Sequence, residues 1–176
     1  MRTIRSIRLL LALIIVVLLS AGCASGPQLS SDVTSTVVMV RHTERTQITK
    51  ELTKAGRERA AALPAALEDL QFAAIYSPNL KRNIDTAMPL SKKRGVDITL
   101  IDDGESWADV ARRLASEHPG KAVLWVGNRG NLINLYALLG GKGEPPLEYG
   151  EIVIMRVVGG KAAEEERRHF GNLYFN

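Results

Sequence analysis

Arg41 and His42 follow without a break on Val37, Val38, Met39 and Val40. Four apolar residues in a row read as a strand buried on both faces. Such a strand delivers a cation and an imidazole to the carboxyl edge of a sheet, where open α/β folds hold their ligands. The chemistry open to that pair is chemistry on an anion. A neutral imidazole can attack phosphorus and hold the phosphoryl group, splitting one hard step into two. The three equatorial oxygens carry charge in the transition state and need fixed donors and cations. A guanidinium fork binds such oxygens in pairs. For the dipeptide alone, a strand that merely ends in polar residues is the simpler reading. Three later stretches shift the balance: residues 52–56, residues 75–87, and residues 123–127 with the loop that follows them.

The elements that must position these residues can be read from periodicity. Residues 52–70 put Gly56, Ala60, Leu63, Leu67 and Leu70 on one helical face, with Pro64 predicting a kink or break. Residues 72–76 form a short apolar strand, and Ser77-Pro78-Asn79 launches a helix to about Arg94. Leu80, Ile84 and Ala87 make the expected buried stripe of that helix, which leaves Arg82 on another face; Pro89 again interrupts it. A third strand spans 97–101, and a helix over 106–118 is expected to carry Trp107, Val110, Ala111 and Leu114 on its apolar face. A strand over 121–126 ends in Gly127-Asn128-Arg129-Gly130, and a helix follows from about Asn131 to Leu139. Residues 151–158 and 161–170 flank Gly159-Gly160, a favoured two-residue hairpin turn. The charged run from Glu164 to Arg168 suits an exposed edge strand. Alternating strands and helices predict a three-layer α/β/α sandwich, its sheet mostly parallel with a C-terminal antiparallel hairpin.

The N-terminus has a different character. Arg2, Arg5 and Arg8 lead into an apolar run of 11 residues, Leu9 to Leu19. That is too short for a stable span, which takes about 20 residues, and has the length and flanks of an export signal. Leu19-Ser-Ala-Gly-Cys23 resembles a bacterial lipobox, with Ser20 where Leu is more usual. The expected organisation is a signal peptide over 1–22, a tether over 23–35 and one folded domain over 36–176. An uncleaved membrane anchor is the rival reading, and either one tethers the chain to a membrane. Cys23 is the only cysteine, which rules out an intramolecular disulfide. The 23 Lys+Arg and 19 Asp+Glu give +4, but without the three leader arginines the balance is 20 to 19, or +1. Clustered positive charge for nucleic acid is therefore not expected.

The order and spacing of the motifs resemble the histidine phosphatase superfamily, which includes the phosphoglycerate mutases. Val38-Met-Val-Arg-His-Thr-Glu44 resembles the family's Arg-His-Gly motif, with Thr43 in place of Gly. Leu52-Thr-Lys-Ala-Gly56 resembles its Leu-Thr-x-x-Gly. Residues 75–87 resemble Ser-x-x-x-x-Arg-x-x-x-Thr-Ala, and Val123-Leu-Trp-Val-Gly127 resembles the strand that carries a second catalytic histidine. The resemblance implies that His42 is the nucleophile and that Arg41 and Arg82 clamp phosphate. It implies no metal and no cofactor, and no cluster of His, Cys and carboxylate residues stands out in the sequence. Thr43, Glu44 and Arg129 are candidate substrate contacts. Glu44 is balanced between that role and bonding nearby backbone, and Thr86 is read as a packing residue. His118 and His169 are read as surface or capping histidines.

The sequence departs from the family pattern where the second histidine should be, because Asn128 stands there. Asparagine can donate to a phosphate oxygen but carries no charge. A carboxylate for the leaving oxygen is sought among Asp102, Asp103 and Glu105, although an acidic loop capping the next helix through Ser106 is the plainer reading. Two functions follow. One is a phosphatase that hydrolyses a phosphate monoester, a small molecule or a phosphoprotein, through a phosphohistidine. The other is a pseudophosphatase that binds a phosphorylated ligand or partner without turnover. A mutase fits less well, because mutases of the family are usually longer, with an insertion over the site. A purely structural lipoprotein has no need of Arg41, His42 and Arg82. Lipidated Cys23 followed by Ala24 and Ser25 implies the outer membrane, facing the periplasm.

Overall fold

The computed structural model describes residues 34–172; the expected leader, Cys23 and the tether as far as residue 33 lie outside them. In chain order the elements are β1 (Thr34–Arg41), α1 (Lys54–Ala66), β2 (Phe72–Pro78), α2 (Lys81–Arg94), β3 (Ile98–Ile101), α3 (Trp107–Ser116), β4 (Ala122–Gly127), α4 (Arg129–Leu138), β5 (Glu151–Val158) and β6 (Lys161–His169). The strands form one sheet in the order β3-β2-β4-β1-β5-β6. β1 to β4 run parallel, while β5 and β6 are antiparallel.

Alternation along the central strands divides the core into two layers. Val37 and Met39 of β1 join Val123 and Trp125 of β4 against Val110 and Leu114 of α3 and Leu132 and Leu135 of α4. Val38 and Val40, with Leu124 and Val126, pack on the other face against Leu63 and Leu67 and against Ala87 and Leu90 of α2. Helices on both faces make the sandwich three layers deep. The topology dictates this. The chain steps outward from β1 to β2 to β3 with α1 and α2 on one face, then reverses to β4, and a right-handed crossover in the opposite direction must use the other face. The carboxyl ends of β1 and β4, paired through Arg41 and Gly127, lie at that reversal.

The structure differs from the sequence expectation in several places, Trp107 among them, which is exposed on α3 while Val110, Ala111 and Leu114 are buried. β1 begins at Thr34, so Thr34 and Ser35 belong to the sheet and not the tether; they pair with Val158 and Val157. α1 ends at Ala66, and Pro64 and Pro89 lie inside continuous helices. The buried face of α2 is Asn83, Thr86, Ala87 and Leu90, not Leu80 and Ile84. Its first half is held by polar bonds: Asn83 Nδ2 donates to the Val126 carbonyl (3.0 Å). α4 starts at Arg129, two residues earlier than expected, because Asn128 caps it. The hairpin turns where expected, at Gly159 and Gly160, whose φ values of 56° and 84° are those of a turn that favours glycine at both positions. β6 is largely exposed, as a charged edge strand should be.

Candidate active site

His42 lies one residue past β1, its backbone N–H donating to the Gly127 carbonyl at 2.9 Å. That bond keeps the imidazole in line with the sheet edge. The side chain is 2% exposed, and its Nδ1 is 2.8 Å from the Thr43 carbonyl. A carbonyl only accepts, so Nδ1 carries the proton and Nε2 keeps its lone pair. Burial pushes the imidazole down from 6.5 to about 4, and the guanidinium groups of Arg41, Arg82 and Arg45 push the same way; the bond to Thr43 opposes them. His42 is therefore neutral at pH 7, with one nitrogen fixed as donor and the other free as a nucleophile.

Arg41 is fixed on its outer side. Nη1 donates to the Leu147 carbonyl (2.8 Å) and Nη2 to the Tyr149 hydroxyl (3.3 Å), and the guanidinium lies over the Tyr149 ring, 4.2 Å from its centre. Tyr149 also flanks His42, with 5.9 Å between ring centres. Arg82 approaches from the first turn of α2. The Nε atoms of Arg41, Arg45 and Arg82 are all buried without a hydrogen-bond partner. Among the described residues no carboxylate pairs with any of the three. Burial and neighbouring cations lower the proton affinity of Arg41 and Arg82. Buried, unpartnered donors of one sign whose charge is felt by a neutral imidazole make a candidate site for an anion with several oxygen acceptors.

Other expected contacts have partners within the protein. Thr43 is fully buried; its N–H donates to Thr86 Oγ1 (3.0 Å) and its hydroxyl lies 3.2 Å from the same atom. The Thr86 hydroxyl donates to the Arg82 carbonyl (2.8 Å). The two threonines thus latch the loop after β1 onto α2 beside Arg82. Glu44 is claimed by Arg59: Nε lies 2.9 and 3.0 Å from its two carboxylate oxygens and Nη2 lies 2.7 Å from one of them. Thr43 and Glu44, expected as substrate contacts, are thus both engaged by protein partners. The Leu-Thr-x-x-Gly stretch has the same purpose. Thr53 caps α1, accepting from Gly56 N–H (3.0 Å), and a Cβ at Gly56 would stand 2.1 Å from the Glu44 carbonyl oxygen. Only glycine lets α1 approach the site loop that closely.

Asn128 shares the edge with His42, but its side-chain oxygen accepts from Asn131 N–H (3.4 Å) while Asn131 Oδ1 accepts from Asn128 N–H (2.9 Å). This is a reciprocal cap of α4, and it leaves Nδ2 as what Asn128 can offer an anion. Arg129 is on the rim, 57% exposed and 3.9 Å from Glu148. The carboxylates after β3 do not assemble an acid at His42. Glu105 pairs with Arg113 (3.0 Å), Asp102 and Asp103 are exposed, and Ser106 caps α3. His118 bonds the Tyr76 hydroxyl (3.1 Å) and His169 is exposed. Among the described residues no three His, Cys, Asp or Glu side chains come together as metal ligands, and no helix is long and apolar enough to cross a membrane.

The sequence reading missed Tyr149, Leu147 and Arg45. The first two arrive from a loop more than 100 residues away that carries no motif. Arg45 had a signal, its place three residues after His42 in a loop already expected beside the substrate.

Comparison with known proteins bears on the same residues. Residues 37–105 match the model of the histidine phosphatase superfamily (branch 1), a span that includes Arg41, His42, Arg45 and Arg82 and stops before β4. Solved structures carry the likeness across the rest. A phosphoglycerate mutase from Bacillus anthracis is 16% identical over 79% of this chain and 93% of its own, with a TM-score of 0.58. Both findings support one assignment. The fold is that of the histidine phosphatases. Bacillus stearothermophilus YhfR is 23% identical over 73% of this chain and 94% of its own, at a TM-score of 0.56. A mycobacterial glucosyl-3-phosphoglycerate phosphatase, solved with inorganic phosphate, is 19% identical over 78% and 97%, at 0.53. A search of curated proteins gives no match. Within this histidine phosphatase fold, His42 and Arg41 stand at the end of the first strand and Arg82 at the start of the second helix.

Proposed function

We infer that the chain is a phosphatase that hydrolyses a phosphate monoester through a phosphohistidine at His42. One observation carries the reading: the bond from Nδ1–H to the Thr43 carbonyl leaves Nε2 with its lone pair on a neutral imidazole, whose proton affinity is lowered by burial and by guanidinium groups that lack carboxylate partners. In the first step an Nε2–P bond forms as the P–O bond to the leaving group breaks. The electron pair goes to the leaving oxygen, which takes a proton from solvent water. Water then attacks phosphorus, the N–P bond breaks back to His42, and inorganic phosphate leaves. Arg41 and Arg82 hold the equatorial oxygens throughout. The positive charge comes from protein side chains, so a metal ion has no part in this scheme. The mycobacterial neighbour, named as a phosphatase of a sugar-linked phosphoglycerate, supports a monoester as the substrate class. With no carboxylate acid at His42, substrates with good leaving groups, such as aryl phosphates, should react best.

A second reading stays in view because of Asn128. If catalysis needs a cation there, the chain is a pseudophosphatase that binds a phosphorylated small molecule or phosphoprotein. Phosphate release from 4-nitrophenyl phosphate by the full chain in mild detergent separates the two. The phosphatase reading expects turnover in the parent, raised by Asn128→His by as much as about 10²-fold, within the range that one oxyanion donor contributes. A silent parent with activity appearing only in Asn128→His selects the binding protein.

The anchoring reading is independent of the chemistry. Lipidation of Cys23 would hang the domain from the outer membrane, facing the periplasm, by a short Ser-rich tether. Cys23→Ser is then expected to move the protein from the membrane fraction into the soluble periplasmic fraction. Retention in the membrane would point to an uncleaved N-terminal anchor instead.

A further inference from the structure

We propose that the outward face of α4, together with the start of α3, is a docking surface for a lipid bilayer. The inference rests on the anchoring reading above and is independent of the chemistry at His42. It gives the tethered domain a fixed side toward the membrane.

α4 is apolar on both sides. Leu132, Leu135 and Tyr136 are buried in the core, while Ile133, Asn134, Ala137 and Leu138 face outward. No charged residue follows Arg129 in the helix. A surface helix ordinarily turns charged residues outward, and one that is hydrophobic all round is covered on both sides. Trp107 of α3 extends the face: Trp107, Ile133 and Leu138 are 36%, 47% and 39% exposed. With Asn134, Ala137 and Lys161 they line a cavity of about 470 Å³. Leu138 also lines a neighbouring cavity of about 210 Å³, between Ala108, Ala111 and Ala115 of α3 and the turn at Gly159 and Gly160. Adjoining apolar surface of this kind marks an interaction site.

Three features select a bilayer as the occupant. The first is chemistry. Among the described residues no Asp or Glu lines either cavity, whereas Arg112 and Lys161 do. Arg112 is paired with Asp109, and Lys161 donates to the Leu138 carbonyl (2.8 Å). An apolar floor that includes Trp and has cations at its rim matches the boundary between headgroups and acyl chains. Lysine, by contrast, is depleted at protein–protein interfaces. The second feature is the exit of the chain. Thr34 pairs with Val158, next to the Gly159–Gly160 turn that lines the smaller cavity. The third is the tether, residues 24–33, which separates Thr34 from Cys23. A chain of that length spans about 35 Å when fully extended and about 17 Å on average. An anchored domain therefore stays within roughly its own diameter of the bilayer, where a modest apolar face is enough to dock it.

The test places the full chain in vesicles of phosphatidylethanolamine and phosphatidylglycerol, with and without brominated acyl chains, which quench tryptophan on contact. Trp107 and Trp125 are the two tryptophans, and Trp125 is wholly buried in the core, so bromine reports on Trp107. Brominated lipid is expected to remove Trp107's share of the emission, and Trp107→Phe should remove the quenching. Ile133→Asp combined with Leu138→Asp should abolish the quenching while the protein still floats with the vesicles. An unchanged midpoint in denaturant unfolding shows that this double variant keeps its fold. A chain that floats with the vesicles while its Trp107 emission ignores bromine overturns the docking and leaves the anchoring reading standing. The same result, with Trp107 emission shifting as the protein-to-lipid ratio rises, overturns it too and assigns the face to a second copy. Failure of the full chain to float overturns the anchoring, and the docking with it.

Discussion

Replacing His42 with alanine is expected to lower phosphate release from an aryl phosphate by on the order of 10⁴-fold or more, the scale on which hydrolases lose rate when their nucleophile is removed. No other described side chain can take its place. His118 is bonded to Tyr76, His169 is exposed on the edge strand, and the hydroxyls of Thr43 and Thr86 are bonded to each other. The same imidazole should set the acid limb of the pH profile. Its affinity for protons is lowered from 6.5 to about 4, so the nucleophilic neutral form persists well below pH 6. In the parent, kcat/KM should hold as pH falls from 7 to 5 and drop away near pH 4, since that quantity reports groups of the free enzyme. An acid limb in the middle sixes would mean that His42 is solvated and charged in the resting site, contrary to its burial.

The second large effect falls on stability. Arg59 is 3% exposed, and it holds Glu44, which is 14% exposed, through a bidentate pair. Its Nη1 also donates to the carbonyls of Phe170 (3.1 Å) and Asn172 (3.0 Å). One guanidinium thus ties the site loop, α1 and the end of the domain together. Arg59→Met should cost about 3–5 kcal/mol, the usual range when one partner of a buried pair is removed and the other charge stays behind. Arg59→Met combined with Glu44→Leu should recover much of the loss, because replacing both charges by apolar groups removes the orphan. Denaturant unfolding of the three proteins checks this. A loss below about 1 kcal/mol for Arg59→Met would show that the pair behaves like a surface ion pair. Glu44→Gln adds a functional control. As scaffold it should lower stability while KM stays near the parent value, whereas a substrate contact would raise KM without destabilising the fold.

Much of the fold was legible because strands buried on both faces leave an unmistakable apolar run and the hairpin announces itself with Gly159-Gly160. The site was legible only where sequence neighbours are also spatial neighbours. Arg41 and His42 share a strand end, and Arg82 has its recognisable block in α2. Buried polar scaffold is where periodicity failed. Asn83 and Thr86 face inward on α2, and a hydrophobic stripe drawn through Leu80 and Ile84 cannot find them. Glu44 stays balanced between a site role and a loop bond in the sequence because Arg59, 15 residues on, reads as one more charged position on a helix. Tyr149 and Leu147 reach the site from the loop before β5, and only the topology brings that loop to the end of β1. Asn128 was placed correctly at the edge, but its cap on α4 depends on Asn131 and hence on a helix start that the sequence put two residues too late.

The central claim is that His42 becomes covalently phosphorylated during turnover. The most direct measurement is intact-protein mass spectrometry of the full chain, quenched at neutral to alkaline pH within the first turnovers of 4-nitrophenyl phosphate, followed by peptide mapping. The account predicts a single phosphoryl adduct on the peptide containing His42, lost on acid treatment and absent from His42→Ala. Turnover with no adduct in the parent, or with the phosphoryl group on another residue, would contradict it.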